Sequence, residues 1–144
     1  MFCSKSNYNL LNKIYHRALC AVYFRYDLGL EELLHINGSY SIHTKHLQIL
    51  MVEVFKSLHK LNPPFMWNFF QIKDLQYSLR SQTLLKLPNP KTRSYGLNSM
   101  IFRASLLWNS LPNDLKCCPT LNEFKSKIKS WDGRQCTCMN CRTF

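Results

Sequence analysis

The chain has 144 residues, of which 46% are hydrophobic and 13% aromatic, and it carries 19 Lys and Arg residues against eight Asp and Glu. This apolar content excludes a disordered chain, and no apolar run approaches the roughly 20 residues that cross a bilayer. The length suits one domain with a real core. The formal net charge of +11 favours a polyanionic partner, RNA or DNA, over a merely solvated basic surface.

The first half of the chain predicts short helices before one long helix. Residues 9–24 place apolar side chains at helical spacing: Leu10, Leu11, Ile14, Tyr15, Ala18, Leu19 and Val22. Asp27 is expected to cap a second helix whose first turns hold Glu31 and Glu32, where the helix dipole favours acids. Asn37 and Gly38 then predict a turn.

The strongest periodic signal is the stretch over residues 41–61, SIHTKHLQILMVEVFKSLHKL. Its apolar residues recur at steps of three and four: Leu47, Leu50, Met51, Val54, Phe55, Leu58 and Leu61. Ser41 is a good N-cap, and Pro63 and Pro64 stop the helix because proline lacks the amide donor. We expect the other apolar stripes to pack around this helix.

The segment FMWNFF follows the prolines and predicts a short helical turn. Its rings are expected to be core rather than a stacking surface for bases, because adjacent aromatic side chains cannot all face one ligand. Between residues 77 and 97 the helical period fails, and Pro88, Pro90 and Gly96 predict an extended ribbon or irregular loop. This region is basic, since no acid lies between Asp74 and Asp114.

Two further helices are predicted near the end. The apolar residues of the first are spaced three, four and three: Ile101, Ala104, Trp108 and Leu111. Thr120 and Glu123 form a capping box that starts the next helix at residue 121. The expected buried stripe of that helix is Leu121, Phe124, Ile128 and Trp131. Lys125 and Lys129 share its outer flank, whereas Lys127 points elsewhere.

Together these elements predict a mainly α fold. Residues 1–131 are expected to form a small helical domain of about five or six helices with one extended basic ribbon or hairpin. Residues 132–144 form a Cys-rich tail. The seven cysteines are odd in number and uneven in spacing, and the first residues lack a secretory signal. A reducing compartment is therefore expected, the nucleus or the cytoplasm.

Catalysis finds little support in this sequence. Two-metal phosphoryl chemistry needs convergent carboxylates, but the aspartates are isolated from one another: Asp27, Asp74, Asp114 and Asp132. Glu31 and Glu32 are adjacent, yet successive side chains on a helix diverge by about 100°. No G-x-S-x-G elbow, P-loop or H-E-x-x-H motif is present. His43 and His46 are expected to be ordinary first-turn histidines rather than a metal pair.

The tail contains a motif suited to a soft metal ion. Cys136, Cys138 and Cys141 form C-x-C-x-x-C. That spacing lets thiolates converge on zinc, and the neighbouring Arg134 and Arg142 favour the thiolate form. Cys117, Cys118 or a histidine would supply the fourth ligand. The alternative is a frayed terminus whose cysteines bind no metal.

Several segments form a recognisable ordered set: LNKIYHRALCAVY, LEELL, SIHTKHLQILMVEVFKSLHKLNPPFM, YSLRSQ, PKTRSYGLNSMIFRASLLWNSLPNDLK, LNEFKSKIKSW and C-x-C-x-x-C. In this order they resemble the C-terminal end of the polyprotein of LINE-type non-LTR retrotransposons, nearest to the jockey-like and chicken-repeat branches. The resemblance runs from about Leu10 to the last residue. No single segment is diagnostic, but the ordered set is specific.

In that family the complete protein carries an endonuclease and a reverse transcriptase, an RNA-directed DNA polymerase, before this region. The resemblance implies a segment that follows the polymerase palm and thumb and helps to hold template RNA or target DNA during target-primed reverse transcription. The aspartate pair of the family's (Y/F)xDD turn has no counterpart in this sequence, and the endonuclease acids and histidine are missing. We therefore expect a module that neither polymerises nor cuts.

The side chains expected to meet phosphates are Arg80, Lys86, Lys91, Arg93, Arg103, Lys125, Lys129 and Arg134. One alternative is a helical protein-interaction scaffold that docks on the polymerase core of a longer copy, with FMWNFF as an exposed apolar patch. Another is a decayed fragment without activity, although intact caps and apolar periodicity predict that it still folds.

Overall fold

The computed structural model describes residues 5–73, 83–89, 91–92, 96–97, 99–133 and 136. Within them lie six α-helices: α1 (Lys5–Tyr23), α2 (Leu30–Ile36), α3 (Ile42–Leu58), α4 (Met100–Ser110), α5 (Asn113–Lys116) and α6 (Leu121–Ile128). A 3₁₀ turn spans Pro64–Met66. The predicted mainly α fold is confirmed, and none of the described helices is long and apolar enough to cross a membrane.

The described residues divide into two compact units, 5–47 and 48–136, with the boundary inside α3. The predicted division after residue 131 stays a prediction, because most of the tail lies outside the described residues. In the first unit α1 packs on α2 around one buried cluster: Leu19, Cys20, Leu33 and Leu34. Tyr15 and Tyr23 cover this cluster from the side.

The helix α1 is apolar on two faces, and the structure turns only part of the predicted stripe inward. Leu19 of that stripe is buried, as are Tyr8 and Cys20, and Tyr15 packs against the cluster shared with α2. The other members of the stripe are exposed: Leu10, Leu11, Ile14, Ala18 and Val22. His16 supports this orientation, since its Nε2 lies 2.8 Å from the carbonyl oxygen of Leu28. The expectation that the whole stripe turns inward is therefore wrong, because periodicity alone cannot choose between two apolar faces.

The helix α2 is capped by other residues than predicted. Gly29 is the N-cap, and the Glu32 carboxylate accepts a hydrogen bond from the Gly29 amide at 2.8 Å. Asp27 instead pairs with Arg25 at 3.0 Å, and this hydrogen-bonded guanidinium lowers the pKa of Asp27. Glu32 takes the capping role because a carboxylate three residues past the cap can reach the orphan amide.

Three helices end at a residue in the left-handed region. Phe24 (φ 53°), Gly38 (φ 59°) and Lys60 (φ 56°) follow α1, α2 and α3. After α3 the Leu61 amide donates to the Lys56 carbonyl at 2.8 Å, which closes the helix end. Glycine adopts this conformation freely, whereas a residue with a side chain costs roughly 1–2 kcal/mol there.

The helix α3 begins at the predicted cap but ends at Leu58, so Leu61, which was expected on its buried stripe, lies beyond the helix and is exposed. The Ser41 hydroxyl accepts a hydrogen bond from the Thr44 amide at 3.2 Å. In the second unit the Phe55 ring stacks on Phe124 of α6, with ring centroids 4.5 Å apart. Phe124 also stacks on Trp108 of α4 at 5.9 Å. These three buried rings join three helices into one core.

The helix α6 begins at the predicted cap, Thr120, and α4 begins at Ser99. The Ser99 hydroxyl accepts from the Phe102 amide at 3.2 Å, and the Thr120 hydroxyl accepts from the Glu123 amide at 3.3 Å. Their predicted stripes supply most of the remaining core: Ala104, Trp108, Leu111, Phe124, Ile128 and Trp131. The single turn α5 was not predicted, because four residues are too few to show a period.

Two short segments, residues 71–73 and 84–86, pair in antiparallel fashion and are called the ribbon below. Ile72 is bridged to Leu85. The flanking hydrogen bonds, both 2.8 Å, run from the Lys73 amide to the Leu84 carbonyl and from the Lys86 amide to the Gln71 carbonyl. In this pattern the amide and carbonyl of Leu85 point away from the partner segment, toward the free edge.

The side chain of Asn109, on α4, fills that free edge. Its Oδ1 accepts a hydrogen bond from the Leu85 amide at 2.7 Å, and its Nδ2 donates to the Leu85 carbonyl at 3.0 Å. Beside it the Trp108 indole Nε1 donates to the Thr83 carbonyl at 3.1 Å. An amide side chain thus takes the place of a neighbouring strand and fastens the ribbon to α4.

We expect Asn109→Ala to destabilise the protein by about 2 to 4 kcal/mol, because both backbone groups of buried Leu85 lose their partner. Urea denaturation followed by circular dichroism measures the change. Asn122→Ala, at an exposed position of α6, is the matched control and should shift stability by less than about 0.5 kcal/mol. Equal effects of the two substitutions would show that Asn109 does not hold the ribbon.

Candidate nucleic-acid interface

Five of the eight cations predicted to contact phosphates lie among the described residues: Lys86, Lys91, Arg103, Lys125 and Lys129. The other three, Arg80, Arg93 and Arg134, lie outside them. All of the five except Arg103 have exposed side chains. Four of the predicted cations are therefore accessible to solvent.

The ribbon brings two lysines together on its exposed face. Side chains alternate along a strand, so Lys86 lies on the opposite face from its neighbour Leu85, which is buried. Lys73 stands diagonally across from Lys86 on that same face, and both are exposed. Diagonal neighbours of this kind have Cα atoms about 7–8 Å apart. Lys73 was missed from the sequence because only the strand pairing reveals its neighbour.

Arg103 has an intramolecular role. Its side chain is half-buried, and its Nε donates a hydrogen bond to the Leu97 carbonyl at 3.0 Å. The guanidinium thereby holds the preceding loop against the start of α4. This contact uses one of the five guanidinium donors, so the predicted phosphate contact of Arg103 stays a prediction.

The end of α6 presents a second pair of cations. Lys125 and Lys129 are both exposed and stand four residues apart, which places their Cβ atoms about 5–6 Å from each other. Lys127 lies on another side, where its Nζ donates to Glu123 Oε1 at 2.7 Å. This hydrogen bond raises the pKa of Lys127. The predicted separation of Lys127 from the outer pair is confirmed.

Lys116 is basic but withdrawn from the surface. It is buried, and its Nζ donates to the Asn109 carbonyl at 2.9 Å, at the C-terminal end of α4. That end of the helix carries the negative pole of its dipole, which favours a cation. Burial nevertheless lowers the pKa of Lys116, because desolvation penalises the charged form. Net charge alone therefore overstates the number of cations that a polyanion can reach.

The rings of FMWNFF are divided between core and surface. Phe70 is only 6% exposed, whereas Phe65 is 69% and Trp67 36% exposed. The prediction that these rings are core is therefore wrong for Phe65 and Trp67. The 3₁₀ turn at Pro64–Met66 turns neighbouring side chains to different sides, so one apolar run cannot bury all of its rings.

Only one of the three cysteines of the predicted zinc motif lies among the described residues. Cys138 and Cys141 lie outside the described residues, and Cys136 is half-buried. Among the residues that are described, no three His, Cys, Asp or Glu side chains form a metal-binding group. Burial raises the pKa of the Cys118 thiol, whereas Cys117 is exposed. Because zinc binds the thiolate, this raised pKa makes Cys118 a poorer candidate for the fourth ligand.

His43 and His46 both contact Tyr8. The Tyr8 and His43 ring centroids are 5.5 Å apart with edge-to-face geometry, and the Tyr8 hydroxyl lies 2.8 Å from His46 Nδ1. These contacts are those of ordinary side-chain packing at a helix start, and they favour the predicted structural role over a metal pair.

Comparison of the chain with protein-family models, with curated proteins and with solved structures found no match. The resemblance to LINE-type polyproteins therefore stays a prediction. Function has to be inferred from the exposed cations and rings of the described residues.

The lowered pKa of Lys116 predicts a pH dependence of stability. In the unfolded chain Lys116 has its ordinary pKa of 10.5, and in the folded chain its pKa is lower. Between these two values the unfolded chain binds more protons than the folded chain. Lys116 should therefore contribute a rise in the free energy of unfolding with pH across that interval. The raised pKa values of Lys127 and Cys118 act in the opposite direction. In urea denaturation at a series of pH values, Lys116→Met should therefore show a less positive slope than the wild type. The exposed Lys125→Met is the control, and equal slopes in the wild type and Lys116→Met would contradict the assignment.

Proposed function

We propose that this chain is a non-catalytic module that contacts the phosphates of RNA or DNA, as its resemblance to the C-terminal region of LINE-type reverse transcriptases implies. The observation that supports this most directly is the pair Lys73 and Lys86 on the exposed face of the ribbon. In this proposal the polymerase portion of a longer protein carries out target-primed reverse transcription, and the module holds template or target.

The chemistry of the exposed cations suits contacts with the sugar-phosphate backbone. The lysine ammonium is a compact point charge without the planar fork of arginine, so it attracts phosphate with little dependence on base identity. Each phosphate that is neutralised releases counterions, which makes the affinity depend on salt. Lys125 and Lys129 add a second pair of the same kind. We therefore expect affinity for nucleic acid with little sequence preference.

The way the ribbon is held adds to this support. Asn109 and Trp108 bind its backbone from α4, and α4 is packed into the ring core of the second unit. Lys73 and Lys86 are thus presented from a backbone that is already ordered. A preordered backbone loses less conformational entropy when a ligand binds.

The salt dependence of binding tests this function. The affinity of the full chain for a labelled single-stranded RNA should fall steeply with salt, and Lys73→Gln with Lys86→Gln should reduce the log-log slope by about 1.4, at about 0.7 for each contact. Fluorescence anisotropy at several salt concentrations measures the slope.

The matched control for this experiment is Lys127→Gln. It removes a positive charge that is already paired with Glu123, so its effect on the slope should be clearly smaller than that of either ribbon lysine. Binding that does not respond to salt, or equal slopes in all variants, would rule out the proposed phosphate contacts.

A second candidate function is a docking scaffold, and the exposed face of α1 favours it. Leu10, Ile14 and Val22 are all more than half exposed on one face of this helix. Lys13 and Arg17 border that face and are exposed as well. The occupant that fits is an amphipathic helix of the polymerase portion with acidic residues beside its apolar stripe. A second copy of α1 fits less well, because it would add further cations at the same border.

Two synthetic amphipathic peptides would test this candidate, one with Glu and one with Lys beside the same apolar stripe. The Glu peptide should bind the full chain at least about tenfold more tightly, and Ile14→Asp should abolish that binding. Asn9→Asp, which makes the same charge change at an exposed position of α1, is the control. Equal binding of both peptides, or light scattering that shows dimers lost in Ile14→Asp, would reject the acidic-helix partner.

A further inference from the structure

The turn that joins α3 to the ribbon exposes two aromatic rings. Phe65 is 69% exposed and Trp67 36%. The other two tryptophans, Trp108 and Trp131, are buried at 1% and 7% exposure. The three tryptophans are all within the described residues, and Trp67 is the most exposed of them. Exposed rings of this size offer a partner a large contact area.

The edge of the Trp67 ring is anchored, and this leaves only its faces for a ligand. The indole Nε1 donates a hydrogen bond to the Asn62 carbonyl at 2.6 Å. The Asn62 side chain is itself fixed to α3, since its Nδ2 donates to Ser57 Oγ at 3.1 Å and to the Glu53 carbonyl at 3.3 Å. With its only donor satisfied, and with the Lys60 ammonium over one face, the indole offers a partner its other face.

The second ring is also held in place. Phe65 lies in the 3₁₀ turn that begins at Pro64, and the ring of Pro64 fixes the φ angle of the first residue of that turn. The Phe65 ring meets Phe69 edge to face with centroids 6.3 Å apart. Both exposed rings are therefore preorganised, and binding on them would cost little side-chain entropy.

A strained lysine accompanies the rings. Lys60 adopts φ 56° at the end of α3, at the position where α2 has Gly38. A side chain in that conformation costs roughly 1–2 kcal/mol, and strained residues of this kind are often found at functional sites. The Lys60 Nζ lies 5.7 Å from the Trp67 ring centroid, within cation-π range. The strained backbone of Lys60 thus holds its ammonium over the exposed Trp67 ring.

We propose that Trp67 and Phe65 each stack on an unpaired nucleobase of a single strand, with Lys60, which lies over the Trp67 ring, placed to meet an adjoining phosphate. This inference rests on the proposed function and narrows its ligand to single-stranded RNA or DNA. Bases of a duplex are stacked on one another and cannot lie on a protein ring, whereas unpaired bases can. Stacking on aromatic side chains accepts any base, which agrees with sequence-independent phosphate contacts from lysines.

The charges around the turn favour nucleic acid over a protein partner. The nearest acid on α3, Glu53, is neutralised by Lys56, whose Nζ donates to its Oε1 at 2.6 Å. Lys60 lies on one side of the rings in the sequence, and the chain continues on the other side into the ribbon at Lys73. Exposed rings interleaved with cations are the combination that single-strand binders use.

The first test compares oligonucleotides of equal length and charge, one of thymidines and one of abasic sites. The full chain should bind the thymidine strand at least about tenfold more tightly, and Phe65→Ala with Trp67→Ala should remove that preference while binding to the abasic strand persists. Phe24→Ala is the matched control, since Phe24 is an exposed ring at another helix end. It should keep the preference.

Tryptophan fluorescence gives a second, independent readout. Because Trp108 and Trp131 are buried, quenching by the thymidine strand should come from Trp67. Trp67→Phe should abolish the quenching yet retain tight binding, because phenylalanine still stacks. Trp67→Ala should lose both, which separates stacking from a structural effect on the turn.

Each remaining outcome decides between the proposals. Equal, salt-dependent affinity for the two strands would overturn base stacking and leave the phosphate contacts standing. No affinity for either strand would overturn both. If the double alanine variant changed the molecular mass seen by light scattering but not the binding of nucleic acid, the rings would be a protein contact and the stacking site would be rejected.

Discussion

The position of the ribbon depends on two hydrogen bonds between the Asn109 side chain and the backbone of Leu85. Without them, the free edge of a single antiparallel bridge would leave buried polar groups unpaired, and such a short ribbon would not be stable alone. Asn109 is also the residue whose carbonyl accepts a hydrogen bond from buried Lys116. One asparagine therefore links the ribbon to α4, and the carbonyl of the same residue holds a cation at the end of that helix. The proposed phosphate contacts depend on this arrangement, since it decides which face of the ribbon is exposed.

The second unit combines a rigid interior with two kinds of exposed group. Stacked rings of α3, α4 and α6 form the interior, and the hydrogen bonds of Asn62 extend that rigidity to the aromatic turn. Lysines on the ribbon would supply long-range attraction to any phosphate chain, whereas the exposed rings would distinguish unpaired from paired bases. In the first unit the exposed apolar face of α1 is aliphatic rather than aromatic, so it suits a helix better than a nucleic acid. The two proposed activities therefore belong to different surfaces, and substitutions can separate them.

Several sequence expectations failed where two solutions satisfied the same local pattern. The helix α1 has apolar residues on both sides, so its period predicted a helix but not which face would meet α2. Asp27 and Glu32 are both reasonable caps for α2, and the hydrogen bond to Arg25 leaves the role to Glu32. The segment FMWNFF is apolar throughout, yet a 3₁₀ turn cannot direct every ring inward. Arg103 shows a related limit for charge, because the sequence does not reveal that this cation also fixes its own loop.

The sequence by itself determined all of the described helices except the single turn α5, the caps of α3 and α6, and most of the buried stripes of α3, α4 and α6. These features depend on contacts three or four residues apart, and such contacts are visible in local spacing. Tertiary structure decided the face of α1, the pairing of the ribbon, the role of Asn109, the burial of Lys116 and the exposure of Phe65 and Trp67. Each of these features depends on contacts between residues that are distant in the sequence, or on competition of side chains for space in one core. Local spacing along the sequence reveals neither the distant contacts nor the outcome of that competition.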